Sequence, residues 1–75
     1  MNLYLISQTE NNDYDTYSDA VVAAKSAKTA KQIHPSGRWS SSTWCGSPKG
    51  VTAVLIGKAK KGTKEGIICA SFHAG

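Results

Sequence analysis

Two stretches near the end of the chain, VTAVLIGKA (51–59) and IICASFHAG (67–75), alternate with period two and carry apolar residues on both faces. In the first, Val51, Ala53 and Leu55 line one face, and Thr52, Val54 and Ile56 line the other. In the second, Ile67, Cys69, Ser71 and His73 oppose Ile68, Ala70 and Phe72. Such runs read as strands. A strand that is apolar on both sides needs cover on both sides. The chain offers little to supply it, because 75 residues make one domain. A chain of that size buries only about 60 per cent of the surface its unfolded form exposes.

Only one segment suits a helix. In AVVAAKSAKTAKQIHP, one reading is a single helix from Ala20 to His34, capped by Ser18 or Asp19. The favoured reading is a strand at Ala20–Ala24, then a helix from Ala27 to about Ile33 with Ser26 as N-cap. Val21 and Val22 favour a strand. Ser26 ahead of an Ala and Lys run favours a helix start there. Pro35 disfavours helical geometry at His34 and ends the segment. On that helix Ala27, Ala30 and Ile33 face the sheet, and Lys28, Lys31 and Gln32 face water.

LYLISQ (3–8) is the first strand, and TENNDYDTYSD (9–19) reads as an ordered loop rich in turn-forming Asn and Asp. KKGTKEG (60–66) reads as a hairpin connection, with Gly62 and Gly66 able to take positive φ. The fold class expected is α+β, a small antiparallel sheet of about four strands with one helix packed on one face. One helix covers one face; the other face calls for the tryptophan-bearing loop or a second subunit. A homo-oligomer is therefore expected.

That loop, PSGRWSSSTWCGSPKG (35–50), holds Trp39 and Trp44 among Ser, Gly, Pro and Thr. The indoles either plug the core or face a partner. Arg38 and Lys49 lie beside them in sequence. Rings stack on bases, and guanidinium and ammonium groups match phosphate. Hydroxyls such as that of Ser41 add hydrogen bonds. The candidate ligand-binding set is Arg38, Trp39, Ser41, Trp44 and Lys49, with Tyr14 and Tyr17 from the first loop.

The net charge is +4. Four of the five acids (Glu10, Asp13, Asp15, Asp19) precede residue 20, and all nine basic residues follow it. A chain so divided can pair head to tail or steer an anionic ligand to its basic part. Lys58, Lys60, Lys61 and Lys64 form a second basic group.

Chemistry of the bond-making kind finds little footing. His34, Cys45, Cys69 and His73 are a full zinc set by type, but Cys69 and His73 on one strand face are about 13 Å apart, and neither cysteine belongs to a C-x-x-C pair. DYDTYSD lacks the glycine and the closing glutamate of a calcium loop. No G-x-S-x-G is present, and Asp13 and Asp15 read as turn caps. No catalytic residue, metal or cofactor is expected, and the protein reads as a non-enzyme. MNLYLISQ turns polar by Ser7, so neither a signal peptide nor a membrane span is expected, and two free thiols fit a reducing cytoplasm.

The segments LYLISQ, YDTY, AVVAA, IHP and ASFHAG together resemble an uncharacterised family of short phage and bacterial proteins. The resemblance covers nearly the whole chain and implies a shared fold. It brings no assigned catalytic or binding residues. Those relatives tend to be acidic where this chain has Lys25, Lys28 and Lys31, so a ligand chosen by charge would differ. The phage association implies a protein that acts on host machinery or host defence by binding. The favoured expectation is sequestration of a small anionic, nucleotide-like ligand, with inhibition of a host protein nearly level and nucleic-acid binding behind.

Overall fold

The structure is a computed structural model that describes residues 1–9, 16–36, 44–46 and 48–73, without the side chains of residues 72 and 73. Its elements are strand β1 (Asn2–Ser7), strand β2 (Thr16–Ala24), helix α1 (Ala27–Lys31), a 3-10 turn at Pro48–Gly50, strand β3 (Thr52–Lys58) and strand β4 (Gly66–His73). They form a four-stranded sheet in the order β3-β1-β2-β4, antiparallel throughout, with α1 against it. The α+β class expected from the pattern is the class observed. Among the described residues no helix is long and apolar enough to cross a membrane.

The strand-plus-helix reading of residues 20–33 holds. Ser26 is extended and its side chain accepts from the Thr29 amide at 3.2 Å, capping α1. The helix is shorter than expected. Gln32 and Ile33 donate three residues back, to Thr29 and Ala30, which tightens the last turn and ends the helix at Lys31. Ala30 is its buried anchor and Ile33 is half-buried, but Ala27, expected to face the sheet, is exposed. A helix of five residues turns only one position fully inward.

Three further expectations are corrected. β2 begins at Thr16, inside the stretch read as loop, because Tyr17 and Asp19 find partners in Phe72 and Ser71 of β4. Residues 59–65 are not a hairpin, since β3 and β4 lie at opposite edges. Crossing three strand spacings needs about 14 Å, which seven residues reach easily. The crossing starts where the Ala59 amide donates to the Met1 carbonyl at 2.9 Å. Gly62 (φ 90°) and Gly66 (φ 140°) take the left-handed backbone expected of them. Finally, simple alternation in β4 fails at Ile68. Val21 pairs with Cys69 and Val22 with Ile67, so Ile68 is an extra residue, and Ile67 joins Ala70 rather than Cys69 on the helix side. Ile56 of β3 is extra in the same way, between Leu55 opposite Tyr4 and Gly57 opposite Leu3.

The core lies between the sheet and α1. Tyr4 and Ile6 of β1, Ala20, Val22 and Ala24 of β2, Ala30, Trp44, Cys45 and Val51 form one buried cluster. On the other face, Leu5 sits between Val54 and Val21, and Val21 beside Cys69, an apolar row across all four strands. Thr52, Ser7, Asp19 and Ser71 form the polar row at one end of it.

Candidate functional site

Of the expected binding set, Tyr14, Arg38, Trp39 and Ser41 lie outside the described residues. Trp44 is fully buried and belongs to the core, so its ring offers no stacking face to a ligand. Of the two roles open to it from sequence, it fills the structural one. Lys49 is exposed on the 3-10 turn, which the Val51 amide closes by donating to the Pro48 carbonyl at 3.2 Å. Lys49 therefore has an ammonium group at the surface, without Trp44 as the stacking partner expected beside it.

Tyr17 and Trp44 meet instead around His34. Both rings stand edge-on to the imidazole, with centroids 6.2 Å away and interplanar angles of 86° and 63°. His34 is buried, as is Pro35 after it. The Ser36 amide donates to His34 Nδ1 at 3.0 Å, and the Ser36 hydroxyl lies 2.8 Å from the same nitrogen. A backbone N–H only donates, so Nδ1 is the unprotonated nitrogen and the neutral ring carries its hydrogen on Nε2. Gln8, also buried, donates from Nε2 to the Tyr17 carbonyl at 3.3 Å. The IHP segment thus folds back so that His34 wedges between β2 and Trp44. The arrangement fixes the chain after α1.

A different group of residues is brought together by the topology. Ala24 and Lys58 both pair with Asn2, one on either side, so the ends of β2 and β3 are two strand spacings apart, about 10 Å. Gly66, the first residue of β4, pairs with Ala23 and lies at the same end. Lys25 follows β2 there; Lys58, Lys60, Lys61 and Lys64 belong to β3 and its crossing to β4. All five are exposed. The crossing is held in shape locally: the Thr63 amide donates to the Lys60 carbonyl at 3.0 Å and the Thr63 hydroxyl donates to the same oxygen at 2.6 Å. Glu65 is the acid at this end; Asp19, the other described acid, sits in the polar row toward the opposite end. Lys28, exposed in the first turn of α1, follows three residues after Lys25.

Sequence reading kept Lys25, in the strand-to-helix segment, apart from Lys58, Lys60, Lys61 and Lys64 at a supposed hairpin tip. It had no signal for their meeting, because Lys25 and Lys58 become neighbours only through β1. The two cysteines are not joined by a disulfide, and they are separated by the sheet: Cys45 is in the core, and Cys69 is exposed in the apolar row of the other face. No family model, curated protein or solved structure matches the chain.

Proposed function

We propose that this chain is a non-enzymatic binding protein that captures a phosphate-rich, nucleotide-like ligand on the lysine-bearing end of its sheet. The observation that carries the reading is the gathering of Lys25, Lys58, Lys60, Lys61 and Lys64 at one end with Glu65 as their acidic neighbour. Lysine is a compact point charge that suits phosphate without demanding a fixed geometry. Several on one short edge raise the local concentration of an anion. Such a protein acts by sequestration, which fits the expectation of a phage-type product that counters host defence by removing an anionic signal.

Free nucleotides and nucleic-acid strands present the same phosphate chemistry, and salt separates them. If four phosphates of a single strand are neutralised, log K falls against log salt with a slope of roughly −3. Raising salt from about 50 to 200 mM then weakens binding about 60-fold. A mononucleotide occupying one or two lysines shows a much shallower slope. Fluorescence anisotropy with labelled nucleotides and a labelled oligonucleotide, across salt, reads both. No binding of either kind at low salt sinks the proposal.

A second reading has its own observation. The apolar row of Leu5, Val21 and Cys69 on the face away from α1 suits a protein partner, as an inhibitor of a host factor would require. Recovery of a stoichiometric partner protein, lost on Val21→Lys, favours that reading.

A further inference from the structure

We infer that β3 is a self-pairing edge: two copies of the chain join antiparallel along it, about a twofold axis at Leu55, into one eight-stranded sheet. The inference rests on the fold and not on the phosphate-binding reading.

β3 is an edge strand among the described residues, so one row of its backbone N–H and C=O groups has no strand beside it. It is also the most apolar exposed run in the structure. Val54, Leu55 and Ile56 are consecutive and exposed by 51, 58 and 51 per cent. A run of that kind on a surface calls for a functional reason. The side chains do not share a face. Val54 sits opposite Leu5, whose face is away from α1, and Leu55 sits opposite Tyr4, which is in the core beneath α1. A partner resting on one face of the sheet leaves half of the run in water. A strand laid along the edge covers both halves and takes up the backbone groups together.

The composition of β3 favours a second copy as that strand. Antiparallel pairing about Leu55 brings Val54 to Ile56, Ala53 to Gly57 and Thr52 to Lys58 in sequence order, and the twofold sets the Ile56 bulge of each copy on either side of the axis. Apolar meets apolar, and the Lys58 ammonium groups stand at opposite ends of the ladder. Like charges directly opposite, which destabilise a pair, are avoided. The twofold also closes the assembly by using up both β3 edges, whereas joining β3 to β4 would repeat without end. β4 is the weaker candidate, since its exposed apolar residue Ile68 is followed by Cys69 and by Ser71. A ladder seven residues long spans about 24 Å and is small for a protein interface, so the pair is reversible and dissociates on dilution.

The test uses charge on the axis. Leu55→Lys and Leu55→Glu each place identical charges against one another in a homodimer. Sedimentation velocity on the intact chain, without added ligand, is expected to show a monomer–dimer equilibrium for the native sequence. Each variant is expected to bind itself at least about tenfold more weakly. An equimolar mixture of the two is expected to recover the dimer. Leu55 is exposed, so both variants keep the fold, which circular dichroism verifies. Hydrogen exchange of the native chain gives a reading that needs no variant: β3 amides exchange faster on dilution while β1 and β2 amides do not change. A native chain that stays monomeric at high concentration overturns the inference. So do variants that dimerise like the native chain, a mixture that stays monomeric, association that grows past the dimer, or β3 exchange independent of concentration.

Discussion

Removing the indole of Trp44 is the sharpest perturbation of the folded state. The side chain has no exposed surface and packs in one cluster with Ile6, Val22, Cys45 and Val51. An aromatic side chain buries about 150–250 Å², which at about 25 cal/mol per Å² is worth roughly 4–6 kcal/mol as an upper bound. Substitutions of buried Phe or Trp by Ala cost about 3–5 kcal/mol, the same range reached from the cavity side. A 75-residue domain has about 4–11 kcal/mol of total stability to lose. Trp44→Ala therefore takes the chain to the margin of unfolding, and Trp44→Phe, which keeps an aromatic ring in the space, loses less than half as much. Urea denaturation followed by circular dichroism measures both. A Trp39→Phe background isolates Trp44 fluorescence, which is blue-shifted and poorly quenched by acrylamide in the folded state. The reasoning is refuted if Trp44→Ala shifts stability by less than about 1 kcal/mol, or if the isolated Trp44 emits and quenches like tryptophan in water.

Other outcomes follow from single observations. Gly62→Ala loses about 1 kcal/mol in a urea melt, from backbone strain at φ 90° alone, since nothing lies within 4 Å of an added Cβ; Gly62→Asn loses less. Ser26→Ala loses about 1 kcal/mol by removing the cap on Thr29, and Ser26→Asp retains it. Ellman's reagent modifies exposed Cys69 in the native chain, whereas buried Cys45 reacts only as fast as the protein unfolds. Two thiols of equal rate in the native chain would contradict their placement on opposite sides of the sheet.

Local signals in the sequence translated well. Ser26 marked a helix start because capping is decided within three residues, and Val21–Val22 marked a strand because β-branched side chains suit a pleated surface. Long-range choices did not translate. KKGTKEG has the composition of a hairpin turn, and nothing within it states that β1 will pair with β3 while β2 takes β4. The bulges at Ile56 and Ile68 are equally silent in the pattern, since they shift the faces of apolar residues among apolar residues. The loop around Trp44 has a composition compatible with both roles, and only its burial in the core cluster, edge-on to His34, decides between them. The lysine-bearing end was legible in charge but not in shape. Lys25 and Lys58 are far apart along the chain, and Asn2, with one on each side of its strand, brings them together.

The central claim is that this end, built by the β3-β1-β2-β4 order, is where a phosphate-rich ligand lands. Amide chemical-shift mapping of the isotope-labelled chain, titrated with a nucleoside triphosphate and then with a short oligonucleotide, tests it directly. The account predicts that perturbed amides concentrate at Lys25, at Lys58 and across residues 59–64. Perturbation centred on Gly46, Lys49 and the intervening loop residues, with the lysine-bearing end unmoved, would contradict it.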